Sequence, residues 1–334
     1  MKQKGLKTYL VLLVPALVLA ALFAASLVLG RFRISLRELP DLLNGTASET
    51  AKVVFFSSRL PRVTAAALIG CGLSVSGAAY QGVFRNPMVS PDILGASAGA
   101  GFGAALGLLL GLPQTVTQAM AFTCGLLAVA CALLLSHLTG SGEHGGRLLL
   151  VLCGMVTGAL FQSFISIIKY AADPFDTMPS IAFWLMGGLT YVTNTDIPFL
   201  LVPVAVGTII LLLLRWRINV LSFSEEEAAA MGVQVSRSRG LVIVCASLIT
   251  SACVAVGGLI GWVGLVIPHF ARLLTGPDYR KLLPCAALLG AGYLLLVDDI
   301  ARCLFQELPI GILTALVGAP VFVLLLLRGK ERVL

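Results

Sequence analysis

Leu221-Ser-Phe-Ser-Glu-Glu-Glu-Ala-Ala-Ala-Met-Gly-Val233 interrupts two long apolar runs, and it is not a membrane span. Ser224 followed by Glu227 is a capping-box pattern. The hydroxyl can accept from a free helix N–H while the carboxylate reaches back to the cap N–H. Glu225 and Glu226 fall in the first turn, where the helix dipole favours anions. Ala228 and its two alanine neighbours propagate the turn, and Gly232 suits the C-terminal stop. The stretch therefore predicts a short, self-terminating helix, with Arg215 and Arg217 before it and Arg237 and Arg239 after it. A polar helix of this kind is either a solvated loop or a docking surface for a separate soluble protein. The second reading gives its caps and charges a purpose.

Working outward, the rest of the chain excludes a soluble domain. Of 334 residues 58% are hydrophobic and 12% charged, with mean hydropathy +0.98, so lipid must be the solvent. The net charge of +7 is not a nucleic-acid signature, because the basic residues sit at the ends of apolar runs. All eight cysteines lie in or beside apolar stretches without a C-x-x-C pair, and read as small buried hydrophobes. Lys2, Lys4 and Lys7 precede an apolar run of about twenty residues, longer than a signal-peptide core, which is read as a retained first span.

The expected fold is an all-α polytopic membrane protein, a single transmembrane domain over 1–334. Its ten spans are placed at about 8–30, 61–84, 92–110, 114–138, 147–170, 196–215, 240–261, 263–274, 282–304 and 309–327. Residues 31–60 are expected outside the bilayer, with Pro61 opening the second span. Gly95, Gly99, Gly103 and Gly107 line one face of the third, where they would let a neighbouring backbone approach; a narrow pathway wall is the other use of such a face. An apolar piece ending Trp184-Leu-Met-Gly-Gly-Leu189 is too short to span and suits a re-entrant or interfacial helix, with Trp184 and Tyr191 as anchors. With ten spans both termini share a side, the basic one, hence the cytoplasm. The 221–233 segment then faces the cytoplasm, and Arg59, Arg62 and Arg302 the outside.

No hydrolase, redox or metal constellation emerges, and no P-loop is present to cradle ATP. Pumping would need a partner or an ion gradient. Asp298 and Asp299 are the residues a gradient-driven transporter would use. Arg302, four and three residues downstream, makes a local ion pair the plainer reading.

Several ordered motifs resemble the iron-chelate and vitamin B12 importer permeases of the FecCD type. They are Arg59-Leu-Pro-Arg62, Gly77-Ala-Ala-Tyr-Gln-Gly-Val-Phe-Arg-Asn-Pro87, Pro91, Leu94-Gly95, Trp184-Leu-Met-Gly-Gly188, Gly258-Leu-Ile-Gly-Trp-Val-Gly-Leu-Val-Ile-Pro-His269, Glu307-Leu-Pro-Ile-Gly311 and Gly318-Ala-Pro320. The resemblance implies a plasma-membrane importer with two permease subunits and two cytoplasmic ATPase subunits that hold ATP and magnesium. A binding protein would deliver a metal chelate, haem or corrinoid from outside. It also implies that 221–233 docks on the ATPase. Arg59, Arg62 and Arg302 would meet acidic residues of the binding protein. Asn86 and Met88 would form the inner gate, to which the loop Thr139–Gly146, with Glu143 and His144, contributes in the family. The expected cargo is a ferric siderophore, with haem or cobalamin behind it; the chain itself would bind no cofactor and be no enzyme.

Overall fold

The computed structural model describes residues 2–30, 32, 39–44, 46–140, 146–304 and 308–330. The helices are α1 (Lys2–Val28), α2 (Leu39–Leu43), α3 (Glu49–Lys52), α4 (Leu60–Phe84), α5 (Ala96–Leu109), α6 (Gln114–Leu138), α7 (Gly146–Ala171), α8 (Thr177–Leu185), α9 (Asp196–Leu213), α10 (Arg215–Leu221), α11 (Glu225–Ala230), α12 (Val235–Gly257), α13 (Val263–Thr275), α14 (Tyr279–Leu304) and α15 (Ile310–Lys330). A π-helical stretch, Val53–Arg59, joins α3 to α4, and a 3₁₀ turn, Pro91–Leu94, precedes α5. Each apolar run expected to span is met by a helix. Among the described residues, seven helical stretches are long and apolar enough to cross a membrane, while α5, α13 and the Ile310–Leu325 part of α15 are shorter.

The core is built around α4, which packs against α9, α12, α13 and α14. Its small residues make this possible. A Cβ at Gly77 would lie 1.8 Å from the Gly264 carbonyl oxygen of α13, and one at Gly70 would lie 2.2 Å from that of Gly290 in α14. In an apolar solvent such backbone contact replaces the hydrophobic drive that packs soluble helices. Buried hydroxyls add specificity toward α12: Ser76 Oγ lies 2.7 Å from Thr250 Oγ1, and Tyr80 Oη 2.6 Å from Ser247 Oγ.

A second group, α5, α6 and α7, packs beside this core. The glycine face expected for the third span divides here. Cβ atoms at Gly99 and Gly103 would lie 2.4 Å from the carbonyl oxygens of Cys124 and Met120, and one at Gly107 would lie 2.7 Å from Thr117 Oγ1. All three therefore seat α6, so this face is packed against a helix and lines no opening. Gly95 is not on that face. It caps α5 with φ +81° and approaches Gly158 of α7, because the helical phase begins only at Ala96.

Two expected boundaries are corrected. The second span does not open at Pro61. Helix starts at Glu49, where Ser48 Oγ accepts from Ala51 N at 3.3 Å, and continues into α4. The π stretch explains this: Leu60 N bonds back to the Phe55 carbonyl, and the widened turn makes room ahead of the proline ring. The seventh span is likewise shifted, to Val235–Gly257. It stops at Gly258, whose φ of +68° and close approach to the Trp184 carbonyl, 2.5 Å from any Cβ, exclude a side chain.

Candidate functional site

The expected polar helix is present as α11, and its capping box is complete. Glu227 N donates to Ser224 Oγ at 3.1 Å, and Ser224 N donates to Glu227 Oε2 at 2.8 Å. Gly232 has φ +77° and open space around a notional Cβ, so backbone conformation alone selects glycine there. Ala228 is buried against Val220 and Val233, which fixes the helix on its flanking chain.

The three glutamates do different work. Glu227 belongs to the cap, and its hydrogen bonds from the Ser224 backbone and hydroxyl hold its carboxyl below the usual range. Glu225 is a hub: it pairs with Arg147 at the start of α7 (3.2 Å) and more closely with Arg239 of α12. Partial burial pushes its carboxyl up, but the Arg239 hydrogen bond and the charges of Arg239, Arg147 and Arg85 outweigh this and leave it lowered. Glu226 is exposed, with no partner among the described residues. An open cavity of about 1140 Å³ lies beside the hub, lined by Arg85, Arg147, Glu225, Glu226 and Gln234 among others.

Arg85 connects this helix to the expected gate. It ends α4 in a left-handed conformation (φ 52°) and donates from Nε to the Leu221 carbonyl at 2.8 Å. The turn that follows is held by Asn86 Oδ1, which accepts from Met88 N at 2.9 Å, and both residues are exposed. Glu143 and His144 lie outside the described residues.

The opposite end of α4 carries a second charged cluster with a different character. Arg62 Nε donates to Asp298 Oδ1 at 2.9 Å, and Arg302 Nε lies 3.1 Å from Asp298 Oδ2. Arg302 also pairs with Asp299, which accepts from Ser26 Oγ at 2.6 Å. Asp298 and Asp299 are thus paired with arginines, as the plainer reading held, but the cluster also recruits Arg62 from α4 and the end of α1.

Arg59 corrects an expectation. It is buried at 5% exposure and donates to the carbonyls of Leu27 (3.0 Å), Val28 (2.8 Å) and Phe32 (2.6 Å). Leu27 and Val28 close the last turn of α1, where carbonyls lack a helical partner, and Phe32 lies beyond it. A guanidinium there also suits the negative end of the helix dipole. Gly30 leaves the space, since a Cβ would come within 2.6 Å of Nη2. Arg59 presents no surface to a docking partner. Arg62 and Arg302, with side chains 14% and 9% exposed, present little.

One signal could have revealed the caps, and it did: residues three apart. Nothing local marks the pairing of Arg62 with Asp298, or of Arg147 with Glu225, because the partners are 236 and 78 positions apart.

A bundle of apolar helices long enough to cross a membrane, with a capped acidic helix standing off one end, defines a polytopic membrane protein. The chain belongs to the FecCD transport family, whose profile matches residues 17–328. It is 40% identical to the molybdate import system permease protein MolB of Haemophilus influenzae, over 92% of each chain. It is 36% identical to an iron chelatin transport system permease protein of Helicobacter pylori, over 97% of this chain and 99% of that one. A solved structure described as an inward-facing conformation of a metal-chelate type ABC transporter superposes with TM-score 0.87 at 38% identity. It covers 95% of this chain and 98% of its own.

Proposed function

We propose that this chain is the permease subunit of a binding-protein-dependent ABC importer that brings a metal chelate into the cytoplasm, a ferric siderophore first, with haem or cobalamin behind. Two permease subunits, each with ten spans and cytoplasmic termini, form the path in a bacterial plasma membrane. Two ATPase subunits holding ATP and magnesium drive it, and an extracytoplasmic binding protein loads it. The names of the relatives differ on cargo, one molybdate and one iron chelatin, so cargo does not follow from kinship.

The observation that carries this reading is α11. A helix capped at Ser224, seated by Ala228 and lashed to α7 and α12 through Glu225 can receive a push and pass it to the spans. Glu226 is the residue left free to meet the ATPase. Through Arg85 and Leu221 the same push reaches the Asn86–Met88 turn, the inner gate of this proposal. At the other end, Arg59, Arg62 and Arg302 serve binding-protein docking indirectly, by fixing the shape of the surface above them. Nothing favours a gradient-driven mechanism, since Asp298 and Asp299 are already ion-paired.

The test is reconstitution in vesicles with the cognate ATPase and binding protein. Uptake of ferric hydroxamates should require ATP, and Glu226→Lys should weaken ATPase association at least tenfold while the permease remains folded. Wild-type association and uptake in Glu226→Lys would remove α11 from the coupling path.

A further inference from the structure

Asp92 is an acid in a place where lipid would not tolerate one. It follows the Asn86–Met88 turn, in the 3₁₀ stretch Pro91–Leu94 that folds back into the bundle. Its neighbours show how far in it lies. Pro91 packs on Gly264 of α13, where a Cβ would be 2.4 Å from the proline Cγ. At 1.5 Å per residue Gly264 is about 16 Å from the end of α13. Ile93 meets Gly154 of α7, where a Cβ would be 2.2 Å from the Ile93 carbonyl oxygen. Gly154 is about 12 Å from the start of α7 by the same ruler. Both reference points belong to the α11 end: Arg147 pairs with Glu225, and Asp278, just after α13, accepts from Asn219 of α10 at 2.8 Å. Counted along the helices, both distances put the segment more than about ten ångströms in from the α11 end of the bundle, to be compared with a hydrocarbon layer about 30 Å thick.

At that depth Pro91 and Leu94 are buried, yet Asp92 between them is exposed. The contact found for its carboxylate is Ser97 Oγ, which donates to Oδ1. Among the described residues no ion pair is formed by this carboxylate, and residues 63–84 of α4, 96–109 of α5 and 148–168 of α7 contain no charged side chain. An ionisable group exposed at this level faces water or a protein surface, not acyl chains. Asp298 and Asp299, at the other end, are buried and paired with arginines; Asp92 is neither.

We infer that Asp92 lines the water-filled path and sets the sign of charge that passes it, favouring cargo that carries cationic or hydrogen-bond-donor groups over small oxyanions. The inference rests on the permease reading and narrows its cargo. A carboxylate in a narrow, poorly hydrated passage acts at low effective dielectric, so a single charge discriminates strongly. Ser97 fixes the orientation of the carboxylate by donating to Oδ1.

The experiment needs no knowledge of the cargo. In the assembled complex, Asp92→Cys and Ser97→Cys are treated with a cationic and an anionic methanethiosulfonate of similar size, and labelled sites are located by mass spectrometry. Both positions should react from the aqueous phase. At Ser97→Cys the cationic reagent should be favoured, and adding Asp92→Asn should lower the cationic-to-anionic rate ratio about tenfold. The ratio cancels any change in thiolate fraction. Failure of Asp92→Cys to react would mean that a protein surface covers the site, and would overturn the inference. A ratio that moves less than twofold with Asp92→Asn would overturn it too. ATP-driven uptake of a ferric hydroxamate, measured on the same vesicles, separates these failures from a failure of the permease reading.

Discussion

The two ends of α4 each gather arginines around carboxylates, and they use them in opposite ways. At the Arg59 end the charges are sealed in: Asp298 is fully buried and Arg302 is 9% exposed. Three arginines there hold two acids and the carbonyls at the end of α1. At the Arg85 end the hub carboxylate, Glu225, is 42% exposed beside an open cavity, and its two arginine partners come from α7 and α12. A sealed cluster fixes one arrangement. An open one, with water ready to replace each contact, can be loosened and remade. The comparison teaches that equal charge content does not mean equal role; the access of water decides.

The sharpest way to break this contrast is at the sealed end. Arg62→Ala leaves Asp298 buried with one guanidinium fewer, and breaking a buried pair costs about 3–5 kcal/mol. Thermal unfolding of the purified protein in detergent should show a large loss of stability; a Tm unchanged from wild type would mean that the cluster is hydrated. At the open end the effects are smaller. Ser224→Ala removes the cap and should cost about 1 kcal/mol, confined to α11, seen as faster amide exchange over residues 225–230 with the spans unaffected. If exchange spreads into α7 and α12, α11 is no independent element. Glu225→Gln should cost less than about 1 kcal/mol. Its effect should shrink as salt rises from 0.15 to about 1 M, because exposed pairs are screened. A salt-independent effect would place Glu225 with the sealed type.

The smallest effect is the response to acid. Glu225 and Glu227 have lowered carboxyl pKa values in the folded protein. Their contribution to holding α11 is therefore complete above the ordinary carboxyl value, and is lost as pH falls through the lowered one. Exchange protection in α11 should stay flat from pH 7 to about 5 and fall only below the ordinary glutamate range near 4.3. Loss of protection already at pH 6 would contradict the ion-paired hub.

Much of this molecule was readable in one dimension. Hydropathy located every long helix, and a serine three residues before a glutamate located α11, because both signals are local. The limits of local reading show at Pro61, where a π turn carries the helix through a residue that looks like a start. They show at Gly95 too, where spacing suggested a fourth member of a stripe and the backbone made it a turn.

By itself, the sequence determined that this chain lives in lipid, where its helices lie, and that one capped, acidic helix stands apart from them. These follow from transfer energies and hydrogen bonds between near neighbours. Only the tertiary structure decided which charges are shared. Arg59 turned inward to the end of α1, Arg62 found Asp298, Glu225 found Arg147 and Arg239, and Asp92 stayed exposed. Coulomb energy depends on distance and on the dielectric between charges, and neither is written along the chain.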